Sequence, residues 1–205
     1  MLEELFLELT GKYTKDSSLC YSLWKEIQKN YSNNSRSYHT LTHLENLLKE
    51  LTEAKKYIKD WDTILFTLFY HDAVYVPSRT DNEERSASLA RERLQSIGYP
   101  ALKMEKCALQ ILATKDHSRS RDDDTNFFND ADLSILGQNS KEYSDYCEQI
   151  QYEYSQYSDE EYRQGREKVV RYFLDMEDIY KTYYFGQKYE HPARINLIRE
   201  LQRIS

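Results

Sequence analysis

Two adjacent residues, His71 and Asp72, end the apolar and aromatic run Phe66-Thr67-Leu68-Phe69-Tyr70. Taking a carboxylate out of water costs several kcal/mol unless something compensates it. A divalent cation compensates well, and neutral imidazole with carboxylate is a common ligand combination for one. The plainer alternative is a helix that surfaces at His71 and exposes both side chains. Two other stretches bear on the choice. Tyr38-His39-Thr40-Leu41-Thr42-His43 puts two histidines four residues apart, which on a helix lie on one face. They are either ligands or hydrogen-bonded core histidines, since Leu44 and Leu47 give the same segment an apolar face. Asn129-Asp130-Ala131-Asp132-Leu133-Ser134 sets two aspartates among Phe127, Phe128, Ile135 and Leu136. There, either Asp130 caps a helix and Asp132 faces water, or burial demands a metal or a raised pKa.

The elements that must position these residues read as helices. Leu2, Leu5 and Phe6 mark a first helix that stops at Gly11, and Ser17 or Ser18 can cap a second through about residue 31. A polar loop follows at 32–37. Residues 39–58 carry the stripe Leu44, Leu47, Leu48 and Leu51, and residues 61–72 form the apolar helix that ends on His71-Asp72. Thr80-Asp81-Asn82-Glu83 has the pattern of a capping box and opens a helix that Gly98 and Pro100 close. Further helices are expected at 101–114, 127–136, 141–157, 158–174 (capped by Ser158 with Glu161), 179–185 and 192–204. Pro192 suits a first helical turn. The spacing predicts a single all-α domain over 1–205, with a core region at about 36–137 and C-terminal helices 140–204 packed on it.

Composition narrows the class. The chain has 205 residues and a formal net charge of −7, with an isoelectric point near 5.3. That length holds a full hydrophobic core, and the charge argues against a general binder of nucleic acid or acidic membrane. Five glycines and three prolines are too few for the turns of an all-β or doubly wound fold, and the Gly-rich phosphate loops are absent. Three scattered cysteines, an acidic N-terminus and no apolar run near a membrane span lead to the expectation of a cytoplasmic protein. There are nineteen tyrosines. Tyr143, Tyr146, Tyr152, Tyr154, Tyr157 and Tyr162 read either as a base-stacking groove or as core-edge residues with wet hydroxyls.

A histidine on one helix, a His-Asp pair at the end of the next apolar helix and an aspartate in Ala131-Asp132-Leu133-Ser134 resemble the HD superfamily of metal-dependent phosphohydrolases. His43 to His71 spans 28 residues and Asp72 to Asp132 spans 60. The likeness extends to 36–43, to His71-Asp72-Ala73-Val74-Tyr75, to 81–87, to 130–137 and to 190–197, which are similar to a subgroup of small, stand-alone predicted HD phosphohydrolases. It covers the chain from about Arg36 onward.

The resemblance implies one divalent metal ion (Mn, Fe, Mg, Ni or Zn) held by His43, His71, Asp72 and Asp132, with Asp130 the alternative fourth ligand. Two imidazoles and two carboxylates leave roughly two of six positions for water and a substrate oxygen. Asp72 also orients or deprotonates the attacking water. By likeness to cyclic-nucleotide phosphodiesterases, which share the HD core, His39 would be the general acid. Glu83 would hold water or a ligand unless its role is only capping. Arg36, Lys115 and His117 are the groups expected to meet phosphate. The expected activity is hydrolysis of a phosphate ester of a small soluble substrate, nucleotides included. The rivals are a non-catalytic HD-fold metal- or nucleotide-binding module and a tyrosine-rich helical adaptor. No nucleic-acid or membrane partner is expected, and a homodimer is compatible with the sequence.

Overall fold

The 3.6-residue periodicity governs the whole chain. The computed structural model, which describes residues 1–204, contains α1 (Leu2–Gly11), α2 (Ser17–Tyr31), α3 (Leu41–Ala54), α4 (Trp61–Tyr70), α5 (Asn82–Ser96), α6 (Ala101–Ala113), α7 (Asp123–Asp132), α8 (Ser140–Glu153), α9 (Asp159–Asp175) and α10 (Tyr183–Ile204). Short 3-10 turns at Lys55–Tyr57 and Leu133–Gly137 continue α3 and α7. No strand occurs among the described residues, and no helix is long and apolar enough to cross a membrane.

Helix α4 is the hub. It is apolar on every side, and a helix of that kind must be enclosed. Every residue from Thr63 to Tyr70 is buried, with α3, α5 and α6 packed around it. Phe69 meets the rings of Phe6 and Trp24 edge-on, which ties α1 and α2 to the same core. Each such side chain taken fully out of water contributes about 1.5–3 kcal/mol. Its two threonine hydroxyls are satisfied internally: Thr67 Oγ1 bonds the Thr63 carbonyl and Gln110 Oε1, and Thr63 Oγ1 meets the Tyr99 hydroxyl. The helix therefore reaches His71 with its core side complete.

The C-terminal helices close the other side. α10 packs on α9, on α7 and on the 133–137 turn, and α8 packs on that turn as well. Gly137 is required there, because a Cβ on it would fall 2.6 Å from Tyr189 Cβ. The Arg166 guanidinium on α9 forms a buried two-pronged pair with Glu200 on α10, at 2.7 and 3.0 Å.

Several boundaries differ from the sequence expectation. Asp16, rather than Ser17 or Ser18, caps α2 by accepting the Leu19 N–H. The Ser158–Glu161 capping box forms as expected, whereas the one at Thr80–Glu83 does not. The N-cap of α5 is Asp81, and Asn82 instead bonds both N–H and C=O of Val76 to close the preceding loop. Pro192 lies inside one continuous helix rather than opening a separate one. The buried stripe Phe185, Tyr189, Ala193, Asn196, Leu197 and Glu200 runs past it unbroken, and that burial outweighs the roughly 3 kcal/mol a proline costs within a helix.

Candidate metal centre

His71 is the C-cap of α4 and is buried. Its Nδ1–H donates to the Leu68 carbonyl at 3.0 Å, which fixes the tautomer and points the Nε2 lone pair away from the helix. His43, in the first turn of α3, brings its Nε2 to 3.1 Å from that atom. Asp132, the last residue of α7, sets Oδ1 3.3 Å from His43 Nε2 and 3.7 Å from His71 Nε2. Asp72 Oδ2 lies 3.1 Å from His71 Nε2 on the other side. Three helix termini, distant in sequence, thus bring two imidazoles and the Asp132 carboxylate together, with the Asp72 carboxylate beside His71.

The donor set fits a divalent cation. Two ligands each about 2.1 Å from one ion stand about 3.0 Å apart at a right angle and about 3.4 Å apart at the tetrahedral angle. The donor atoms of His43, His71 and Asp132 all lie within 4.8 Å of one another and form a group that can hold a metal ion. Electrostatics point the same way. Burial lowers the His71 imidazolium, but Asp72 and Asp132 overcome this and raise it to about 9. Burial holds His43 down in its neutral form. Burial also opposes ionisation of Asp72 and Asp132, yet the histidines hold both carboxyls below the usual range. Two ionised carboxylates beside the imidazoles thus favour positive charge at the cluster.

Asp130 and Asp132 part company. Asp130 is fully buried, and its oxygens accept the N–H groups of Lys181 and Thr182 and the Thr182 hydroxyl, at 2.7 Å each. It neither caps α7 nor approaches the imidazoles; it anchors the loop before α10. Asp122 is the cap of α7.

His39 sits in the loop before α3 and not on that helix, so the four-residue spacing to His43 is bridged by the turn at Thr40. Its Nε2 faces Asp72 Oδ2 at 3.8 Å, and its Nδ1 meets Glu153 Oε2 at 2.7 Å. Glu153, at the end of α8, was not singled out from the sequence. A glutamate more than a hundred residues away leaves no local signal, although its position in a tyrosine-rich helix facing the core would have been a hint. His117 Nε2 stands 3.1 Å from Asp132 Oδ2, held in place by a left-handed backbone (φ 51°). A non-glycine residue in that conformation is uncommon.

The two cations expected to meet phosphate already have partners. Arg36 is buried, donating to the carbonyls of His39, Asp72 and Ala73 at 3.2, 2.8 and 3.3 Å, with its guanidinium over the rings of Tyr31 and Tyr75. It clamps the His39 loop to the His71-Asp72 corner. Lys115 bonds the Thr80 carbonyl and Glu84. Glu83 is half-buried in the first turn of α5 and makes no hydrogen bond or ion pair with the cluster.

Cavities flank the cluster. One of about 300 Å³ is bordered by Tyr38, His43, Asp132 and Glu142. Another, of about 530 Å³, is bordered by His39, His117 and a set of tyrosines. Tyr146 borders both.

No family model, curated protein or solved structure matches the chain. Its fold and site define its class: an all-α protein with a buried histidine–aspartate cluster able to hold a metal ion.

Proposed function

We propose that this chain is an HD-type, metal-dependent phosphohydrolase that cleaves a phosphate ester of a small soluble molecule. The observation that carries this reading is the convergence of His43, His71 and Asp132 from three helix termini, with donor atoms 3.1–3.7 Å apart, and of Asp72, whose Oδ2 lies 3.1 Å from His71 Nε2. These four residues would hold one divalent ion, from among Mn, Fe, Mg, Ni and Zn. When bound, such an ion supplies Lewis acidity toward the phosphoryl oxygens and lowers the pKa of water to near neutrality.

The chain's own groups supply the proton transfers. Asp72 accepts a proton from the attacking water as the new P–O bond forms. His39, held by Glu153 with its Nε2 toward Asp72, gives a proton to the leaving oxygen as the old P–O bond breaks. His117 borders the phosphoryl position and donates to Asp132. Arg36 serves this reading as the clamp that holds the His39 loop, not as a phosphate ligand.

Elemental analysis of the purified protein tests the metal, and turnover of 4-nitrophenyl phosphate, abolished in Asp72→Ala, tests the chemistry. A bound metal without turnover leaves a non-catalytic binding module, and the lack of any metal removes both readings.

A further inference from the structure

On the hydrolase reading above, we propose that the 530 Å³ cavity beside His39 is the leaving-group subsite, and that it selects monophosphate esters of an uncharged planar ring. Its lining includes His39 and His117, whose Nε2 atoms lie 3.8 Å from Asp72 Oδ2 and 3.1 Å from Asp132 Oδ2. Whatever fills the cavity therefore lies against the oxygen that leaves phosphorus.

Its walls are aromatic. Tyr75 packs on the His39 ring with centroids 4.1 Å apart and planes tilted 31°. Tyr154 and Tyr157 stack at 6.0 Å and 27°, with Tyr162 6.2 Å from Tyr154. Aromatic faces lining a cavity offer stacking to any planar guest and are tolerant of its exact hydrogen-bonding pattern. The volume lies within the range of small-molecule pockets.

The charges lining the cavity are spent. Arg166 is held by Glu200 and by the Tyr146 hydroxyl, and Glu161 is held by Ser158 in the cap of α9. No unpaired cation lines this cavity among the described residues. A guest bearing a second or third phosphate would enter without a counter-charge, which costs far more than an uncharged ring.

The test compares kcat/KM for phenyl phosphate and adenosine monophosphate with that for glycerol phosphate and adenosine triphosphate. Both ring monophosphates are expected to exceed the other two by about ten-fold or more. Tyr157 is partly exposed, so Tyr157→Leu keeps apolar bulk without burdening the core, and it should cut the ring-to-glycerol ratio about ten-fold. A calorimetric titration of adenosine, which has no phosphate, reads the subsite without turnover. Saturable binding that weakens in Tyr157→Leu supports it. Equal handling of ring and aliphatic esters, or preference for the triphosphate, overturns the subsite while leaving the hydrolase reading intact. Tyrosine-dependent adenosine binding with no turnover of any ester supports the cavity and overturns the hydrolase reading.

Discussion

Glu153 Oε2 lies 2.7 Å from His39 Nδ1, and its other oxygen accepts the backbone N–H groups of Ser37, Tyr38 and His39 at 2.7, 2.8 and 2.9 Å. One carboxylate thus fixes the ring and the backbone of the loop that presents it. Burial raises the Glu153 carboxyl, but these donors overcome it and hold it at about 2.

The direction of the His39 shift gives the first prediction. Burial lowers its imidazolium, Glu153 and Asp72 raise it more, and the net change is upward. In Glu153→Gln the main raising partner is gone, so the acid form of His39 is lost at lower pH. The alkaline limb of the kcat/KM profile should move to lower pH, with kcat reduced about 100-fold, the scale of a general acid's contribution. A merely structural role for Glu153 would lower the fraction of active protein and leave the limb in place.

The same carboxylate sets an acid-side stability prediction. A group whose folded pKa is depressed contributes stability above its unfolded pKa, near 4.5, and loses it as pH falls toward the folded value, near 2. Urea midpoints of wild type and Glu153→Gln should differ by on the order of 1–3 kcal/mol at neutral pH, and the difference should shrink below about pH 4.5 and close as pH falls to about 2.

Metal loading should stabilise the fold. At free Mn²⁺ about 100-fold above Kd, linkage adds about 2.7 kcal/mol, which for a chain of this size raises Tm by about 5–10 °C. Differential scanning calorimetry with and without chelator reads this, and a Tm indifferent to every divalent ion tried would count against the centre.

Asp130 and Asp132 should separate by assay. Asp132→Asn should abolish stoichiometric metal in elemental analysis. Asp130→Ala leaves the Lys181 and Thr182 amides without their acceptor and should cost about 1–3 kcal/mol in urea unfolding, with one metal per chain retained.

Gly137→Ala tests the junction of the 133–137 turn with α10. The added Cβ would meet Tyr189 at 2.6 Å, and overpacking of this kind costs about 1–3 kcal/mol. A lower urea midpoint with an unchanged m-value is the expected result.

The sequence by itself determined the helices and the rhythm of the candidate site. Periodicity and caps are local properties, so the all-α class, the Ser158 capping box and the apolar path of α4 into His71-Asp72 could be read residue by residue. The spacing of His43, His71-Asp72 and Asp132 was equally visible, although the pattern placed Asp132 inside a 127–136 segment and only the structure ends α7 on it. Pro192 misled because local preference for a first turn was overridden by a stripe buried along all of α10. Only the tertiary structure decided which aspartate stands beside the imidazoles, since Asp130 and Asp132 share one sequence context and differ in the face of α7 they occupy. It alone brought Glu153 to His39 across more than a hundred residues, turned His117 onto Asp132, and engaged Arg36 and Lys115 with neighbours before any phosphate could reach them. Hydrogen bonds and ion pairs between distant elements depend on packing, and packing is a property of the folded chain rather than of any window along it.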